Sequence, residues 1–306
     1  MNKYRVTKSA MTMETFDVEA LSEQEAIRLC AGKSGKLVSQ VDAWSAVLVG
    51  SGKPTLPAGF GVYLRRIGAQ DSAEVVAERC VRAGMYWALF MVEASDGHLT
   101  DLSVTSAWAK VFRAHGLAIG VWSFPGDSRA ASVEQSTAAA TLLTTVAQEV
   151  GAEAVVLDIE QPYKGHPVTL DALIEAAVST VPPSAVLGVT SYPVPDFHPT
   201  LNWRAFAAFA FGSPMFYQSA QDPQIVKRGY AEWSQYVNVF APSLDGWSGS
   251  GAAGADRFSQ DITNVCGPAG DPRVPGALVW SESQMDSAKR LVTKERGVGY
   301  GWPQSE

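Results

Sequence analysis

EQSTAAATLLTTVAQEVGAEAVVLDIE, residues 134–160, is the stretch that decides the fold. From Glu134 to Val150 small and branched apolar residues return every three or four positions, the period of a helix with one buried face. Gly151 follows, a residue that helices commonly use in the left-handed conformation to end. Ala154–Leu157 is then an unbroken apolar run. Such a run, apolar on both faces, marks a strand in a parallel sheet covered on both sides. It ends in two carboxylates, Asp158 and Glu160.

The unit recurs in both directions. Upstream lie the strand-like runs FGVYLRRI (60–67), MYWALFMVEA (85–94) and LAIGVWSF (117–124). Downstream come AVLGVTSYP (185–193), GSPMFYQ (212–218), VNVFAPSL (237–244) and GALVWSES (276–283). Between them run amphipathic stretches such as SAEVVAERCVRAG (72–84), SAWAKVFRAHG (106–116) and LDALIEAAVSTV (170–181), two of which end in Gly84 and Gly116. About eight strand–helix units in this length fit an α/β chain folded as a (β/α)8 TIM barrel, expected over residues 60–306. No glycine-rich GxGxxG turn follows the first strand, which removes the support for a dinucleotide-binding sheet.

Residues 1–50 read differently. KYRVTKS and METFDVEA look like strands, LSEQEAIRLCAG like a helix with Ser22 and Glu25 at capping-box spacing, and AWSAVLVG like a last strand. This predicts a small α+β module of ββαβ order, joined to the barrel by a Gly- and Pro-rich linker at 51–59. Its strands offer an edge for pairing with a protein partner or a second copy of the chain.

Composition excludes several function classes. The chain has 306 residues, 46% of them hydrophobic, and a net charge of −7. Disorder requires fewer apolar residues, and nucleic-acid binding a basic surface. No run approaches the ~18 apolar residues of a membrane span, so no membrane insertion is expected. The start has no apolar run of a secretory signal, so the chain is expected to be cytoplasmic at synthesis. Cys30, Cys80 and Cys266 are scattered in apolar helical settings and read as packed thiols. The four histidines make no ligand spacing, so neither a metal nor another cofactor is expected.

In such a barrel the site lies at the C-terminal ends of the strands. Asp158 and Glu160, two apart on a strand, both point into the mouth, with Ile159 turned outward. Burial of a close carboxylate pair raises a pKa, and the outer Glu160 is expected to be the proton donor. The pair also has a plainer reading, with Asp158 capping the next loop and Glu160 exposed. Tyr217 and Gln218 fall at the sixth strand end, Trp280 and Glu282 at the eighth. Trp87, Trp122, Tyr192 and Trp247 fall near the second, third, fifth and seventh. Aromatic faces beside polar groups suit the C–H face and hydroxyls of a sugar, although any single ring can equally fill a barrel layer. Glu93, Asp245 and Glu282 are further acids near strand ends. Arg65 and Arg66 close the first strand, where they can meet an anionic sugar substituent or pair with Asp158 or Glu160. The loop SLDGWSGSGAAGAD (243–256) reads as a lid or a plain flexible connection.

The LDIE of the fourth strand, MFYQ of the sixth and GALVWS of the eighth together resemble the glycoside hydrolase barrels of the chitinase type (family 18) and the lysozyme type (family 25). The resemblance implies Glu160 as general acid, Asp158 as the aspartate that positions an N-acetyl group, Tyr217 as its second contact, and Trp280 beneath the sugar. Val156 departs from the chitinase pattern, which has an aspartate there, and the first strand lacks the aspartate of the lysozyme type. The resemblance implies hydrolysis of a β-linked N-acetylhexosamine polymer, peptidoglycan or a chitin-like glycan, by attack of the substrate's own acetamide. Such an enzyme without a secretion signal fits a phage lysin or a virion-associated barrel. The alternative is an inactive barrel kept as a structural or glycan-binding module in an assembly such as a virion. An aldolase or isomerase ranks last, because no lysine closes a candidate strand.

Overall fold

The computed structural model describes residues 2–8, 14–20, 44–48, 56, 59–65, 67–68, 71–246, 251–266, 274–280, 289–290 and 292. The chain divides into two compact units, Met1–Thr55 and Leu56–Glu306. In the first, β1 (Asn2–Lys8) pairs antiparallel with β2 (Glu14–Ala20) on one side and β3 (Trp44–Leu48) on the other. The helix expected between β2 and β3 lies outside the described residues.

The second unit is a barrel of eight strands: β4 (Gly59–Leu64), β5 (Met85–Glu93), β6 (Ala118–Ser123), β7 (Ala154–Asp158), β8 (Val186–Ser191), β9 (Phe211–Pro214), β10 (Ser243–Asp245) and β11 (Gly276–Trp280). Every neighbouring pair in the order β10-β11-β4-β5-β6-β7-β8-β9 is parallel. Parallel bridges Gly212↔Phe240 and Met215↔Ser243 join β9 to β10 and close the ring.

Helices alternate with the strands: α1 (Ala73–Arg82), α2 (Leu102–Ala114), a short α3 (Asp127–Ala130), α4 (Val133–Val150), α5 (Pro167–Thr180), α6 (Pro223–Trp233) and α7 (Gly251–Cys266). Local sequence explains their ends. Ser72, Asp101, Ser132 and Asp222 each accept a hydrogen bond from a backbone N–H of the first turn, as capping residues do. Gly151 ends α4 at φ 63°, where a side chain would be strained. Between β8 and β9 no α-helix forms; two 3-10 turns, Pro195–Phe197 and Trp203–Ala208, take its place.

Two apolar layers hold the unit together. Phe60, Val62, Phe90, Val155, Leu157 and Ile159 face outward and pack with helix residues such as Phe112, Leu143 and Ile174. Tyr63, Trp87, Leu89, Met91, Trp122, Val156, Phe211 and Leu278 fill the interior. The barrel interior is therefore a packed core.

Three expectations need correction. GSPMFYQ is strand only to Pro214, and Gln218 opens a 3-10 turn instead of ending a strand. VNVFAPSL pairs regularly only from Ser243. The glycine-rich segment does not remain a loop: Gly251–Asp256 forms the start of α7, where Gly254, Ala255 and Phe258 are buried. Glycine's poor helix propensity is overridden there because a small face can pack closely.

Candidate active site

β7 delivers the central pair. Asp158 is its last residue, 6% exposed, and Glu160 follows two positions on, half-buried. Ile159 between them is fully buried toward the helices, with its N–H donating to Thr190 O at 3.0 Å. The extended backbone thus turns both carboxyl groups into one cavity of about 170 Å³. Its walls are Met91, Ala94, Ser95, Trp122, Phe124, Met215, Tyr217 and Trp280, with Arg65 at the edge.

The two carboxyl groups lie within hydrogen-bonding reach and share their titration. Burial is the first cause that raises Asp158 well above the ordinary carboxylate value, and the Glu160 charge is the second. Glu160 is also raised by burial, but the Asp158 hydrogen bond and the Lys164 charge pull it back. Both carboxyl groups are therefore raised above their ordinary values, with burial the first cause in each.

Beneath the pair lies a polar floor. Tyr63, at the end of β4, is buried and its phenol is pushed up to about 12, chiefly by burial. Around it Thr190 donates to Ser213 O at 2.8 Å, and Ser213 and Ser243 share a hydrogen bond of 2.7 Å. Strand pairing explains this grouping, since Asp158 pairs with Thr190 and Thr190 with Ser213. One oxygen of Asp158, Oδ1, has no hydrogen-bond partner in the protein. A buried acceptor left unpaired is costly, so a ligand donor there would be favoured.

The aromatic wall has a defined geometry. Trp122 and Trp280 meet edge to face with centroids 5.1 Å apart, and Tyr63 lies 5.4 Å from each. Trp122 is anchored by its indole N–H, which donates to Leu64 O at 3.4 Å. Trp280 is only partly buried and presents the exposed ring of the cluster. Tyr217 lines the same cavity, and burial, followed by the charge of Asp158, raises its phenol well above the usual value. It stays protonated as a hydrogen-bond donor.

Other expected residues sit elsewhere. Trp87 is near the start of β5, fully buried, and its indole donates to Gly59 O at 3.3 Å; it packs the barrel interior away from the mouth. Glu93 closes β5, but the register shifts between Met91 and Glu93, and the carboxylate forms a 2.7 Å ion pair with Arg129. Ala94, not Glu93, lines the cavity. Tyr192 is beside it rather than in it: its ring stacks on His198 at 3.6 Å and lies 4.2 Å beneath the Lys164 ammonium. Asp245 is buried at the end of β10 next to Asp261, which burial and then the Asp245 charge raise to about 6. Neither lines the cavity. Gln218 begins the turn after Tyr217, and Glu282, Trp247 and Arg66 lie outside the described residues.

Sequence reading missed Lys164, His198 and Tyr63. Lys164 Nζ lies 2.9 Å from His198 Nδ1, and its charge acts on Glu160. Lys164 falls four residues after Glu160, which is the signal that could have found it. Among the described residues no group of acids, histidines and cysteines is placed to hold a metal, and no helix is long and apolar enough to cross a membrane. Cys80 and Cys266 are buried thiols.

No family model matches the sequence, and no curated protein is similar to it. Solved structures are. A chitinase from Bacteroides thetaiotaomicron is 8% identical with a TM-score of 0.62, covering 82% of this chain and all of its own. A GH113 β-1,4-mannanase is 12% identical with a TM-score of 0.61, over 80% of this chain and 98% of that one. The spore cortex-lytic enzyme SleL of Bacillus cereus is 10% identical with a TM-score of 0.60, over 95% of this chain and 89% of that one. Likeness at these identities is one of fold alone: the chain is a TIM barrel similar in fold to these enzymes.

Proposed function

We propose that the barrel hydrolyses a β-linked N-acetylhexosamine polymer, peptidoglycan or a chitin-like glycan, with Glu160 as general acid. The observation that carries this reading is the close Asp158–Glu160 pair lining one cavity with Trp280 and Tyr217.

The chemistry follows from that pair. In the free protein burial raises both carboxyl groups, which favours a proton on the pair. An acetamide N–H that donates to Asp158 favours its charged form, so the proton moves to Glu160. Glu160 then protonates the glycosidic oxygen as the C1–O bond breaks, and the leaving sugar departs as an alcohol. The acetamide oxygen, oriented by the Tyr217 hydroxyl, bonds to C1 and gives a cyclic oxazolinium; Asp158 offsets its charge. Glu160, now a carboxylate, takes a proton from water as that water attacks C1 and reopens the ring. An attached nucleophile avoids the entropy cost of bringing one in. The ordinary two-carboxylate scheme is less favoured, because Glu93 is engaged by Arg129 and Asp245 lies outside the cavity.

The test is release of reducing ends from peptidoglycan, from a chitin oligomer and from the same oligomer after de-N-acetylation. Cleavage confined to N-acetylated glycans is expected. Equal cleavage of the de-N-acetylated oligomer would remove the acetamide mechanism. No release from any of them, by folded protein, would favour a second reading as a non-catalytic glycan-binding or structural module. One feature favours that reading: Val156, fully buried inside the barrel, stands where chitinases carry an aspartate.

A further inference from the structure

Arg65 is the residue after β4 and the only cationic side chain among the described residues that line the cavity. Three other arginines of the unit are paired: Arg79 with Asp71 at 2.7 Å, Arg129 with Glu93 at 2.7 Å, and Arg228 with Glu232 at 2.6 Å. Lys164 is engaged by His198 and the Tyr192 ring. Arg65 makes no ion pair with Asp158, Glu160 or any other described carboxylate, and it is exposed at the rim. A guanidinium beside two carboxylates would ordinarily neutralise one of them. Here Asp158 and Glu160 lie within hydrogen-bonding reach of each other, and Arg65 lines the same cavity without an ion pair to either. A guanidinium in this position matches a carboxylate in two parallel hydrogen bonds.

Building on the glycosidase reading, we propose that Arg65 selects a hexosamine glycan that carries a free carboxylate next to the unit bound over Asp158. Two sources share this chemistry. One is the lactyl ether of a muramic residue in a peptide-free peptidoglycan strand. The other is the uronic acid of an alternating N-acetylhexosamine–uronate glycan. A neutral chitin-like chain lacks the group. In a cavity holding only acids, a carboxylated sugar would meet repulsion; Arg65 reverses that.

The test is calorimetric binding of three tetrasaccharides to the full chain carrying Glu160→Gln, which prevents turnover, with and without Arg65→Gln. The ligands are chitotetraose, a peptide-free peptidoglycan tetrasaccharide and a hyaluronan tetrasaccharide. A carboxylated ligand is expected to bind more tightly than chitotetraose, and Arg65→Gln to shrink that ratio about tenfold at low salt, as does raised salt. The carboxylated ligand that is preferred names the source. No preference over chitotetraose, a preference that survives Arg65→Gln, or no binding at all would overturn the proposal. Arg65-dependent preference without hydrolysis by the wild type would uphold it while removing the catalytic reading. Hydrolysis with no such preference would do the reverse.

Discussion

Burial of Asp158 gives the site a signature in stability as well as in rate. Its folded pKa is raised above the ordinary 3.8, first by burial and then by the Glu160 charge. A group raised in this way holds its proton more tightly when folded. Its stabilising effect is complete below the ordinary value and disappears as pH rises through the folded one. Asp261, pushed up to about 6, and Glu160 act in the same direction. The melting temperature should therefore fall as pH rises from 4 to 8. The fall should be shallower in Asp158→Asn, which keeps the shape and removes the charge. Thermal unfolding followed by circular dichroism across that range checks both; parallel profiles for the two proteins would count against the burial argument. Glu93 and Arg129 form a 2.7 Å ion pair in which the acid is buried. Arg129→Met leaves Glu93, 2% exposed, without a counter-charge and should cost ~3–5 kcal/mol in denaturant unfolding. A loss under about 1 kcal/mol would mean that water reaches Glu93 and that the pair is no more than a surface contact.

At the scale of elements, the alternation of apolar runs and amphipathic stretches was readable because parallel strands buried on both faces differ plainly from helices. Gly84, Gly116 and Gly151 marked three helix ends, and all three adopt positive φ. Trp87, the third residue of MYWALFMVEA, was read as near a strand end, whereas it lies near the start of β5 and so far from the C-terminal mouth. Its actual role gives a prediction. A Cβ at Gly61 would fall within the Trp87 ring, and that ring is enclosed on all sides. Gly61→Ala should destabilise the barrel by ~1–3 kcal/mol through overpacking. Chemical denaturation measures it, and a neutral outcome would show that the interior can yield around Trp87. The start of α7 was misread for another reason: three glycines near it suggested a loop, whereas Gly254 and Ala255 are small because that turn is buried.

For the whole molecule, the barrel was legible from periodicity, and one half of the site from a strand that ends in Asp-Ile-Glu. The other half was not, because it is assembled across strands distant in sequence. Tyr63, Thr190, Ser213 and Ser243 come from four strands and form a floor only once the barrel closes. Lys164 and His198 meet through the folding of two separate loops. Shared architecture does not decide chemistry, since one barrel scaffold serves many activities. What singles this one out is the close, buried Asp158–Glu160 pair in a cavity walled by Trp122, Tyr217 and Trp280. The most direct measurement is release of reducing ends from an N-acetylated glycan by the wild type and by Glu160→Gln. Removal of a general acid should lower the rate by ~10²–10⁴-fold while the variant stays folded. A variant that cuts the glycan as fast as the wild type would contradict the assignment of Glu160 as the acid.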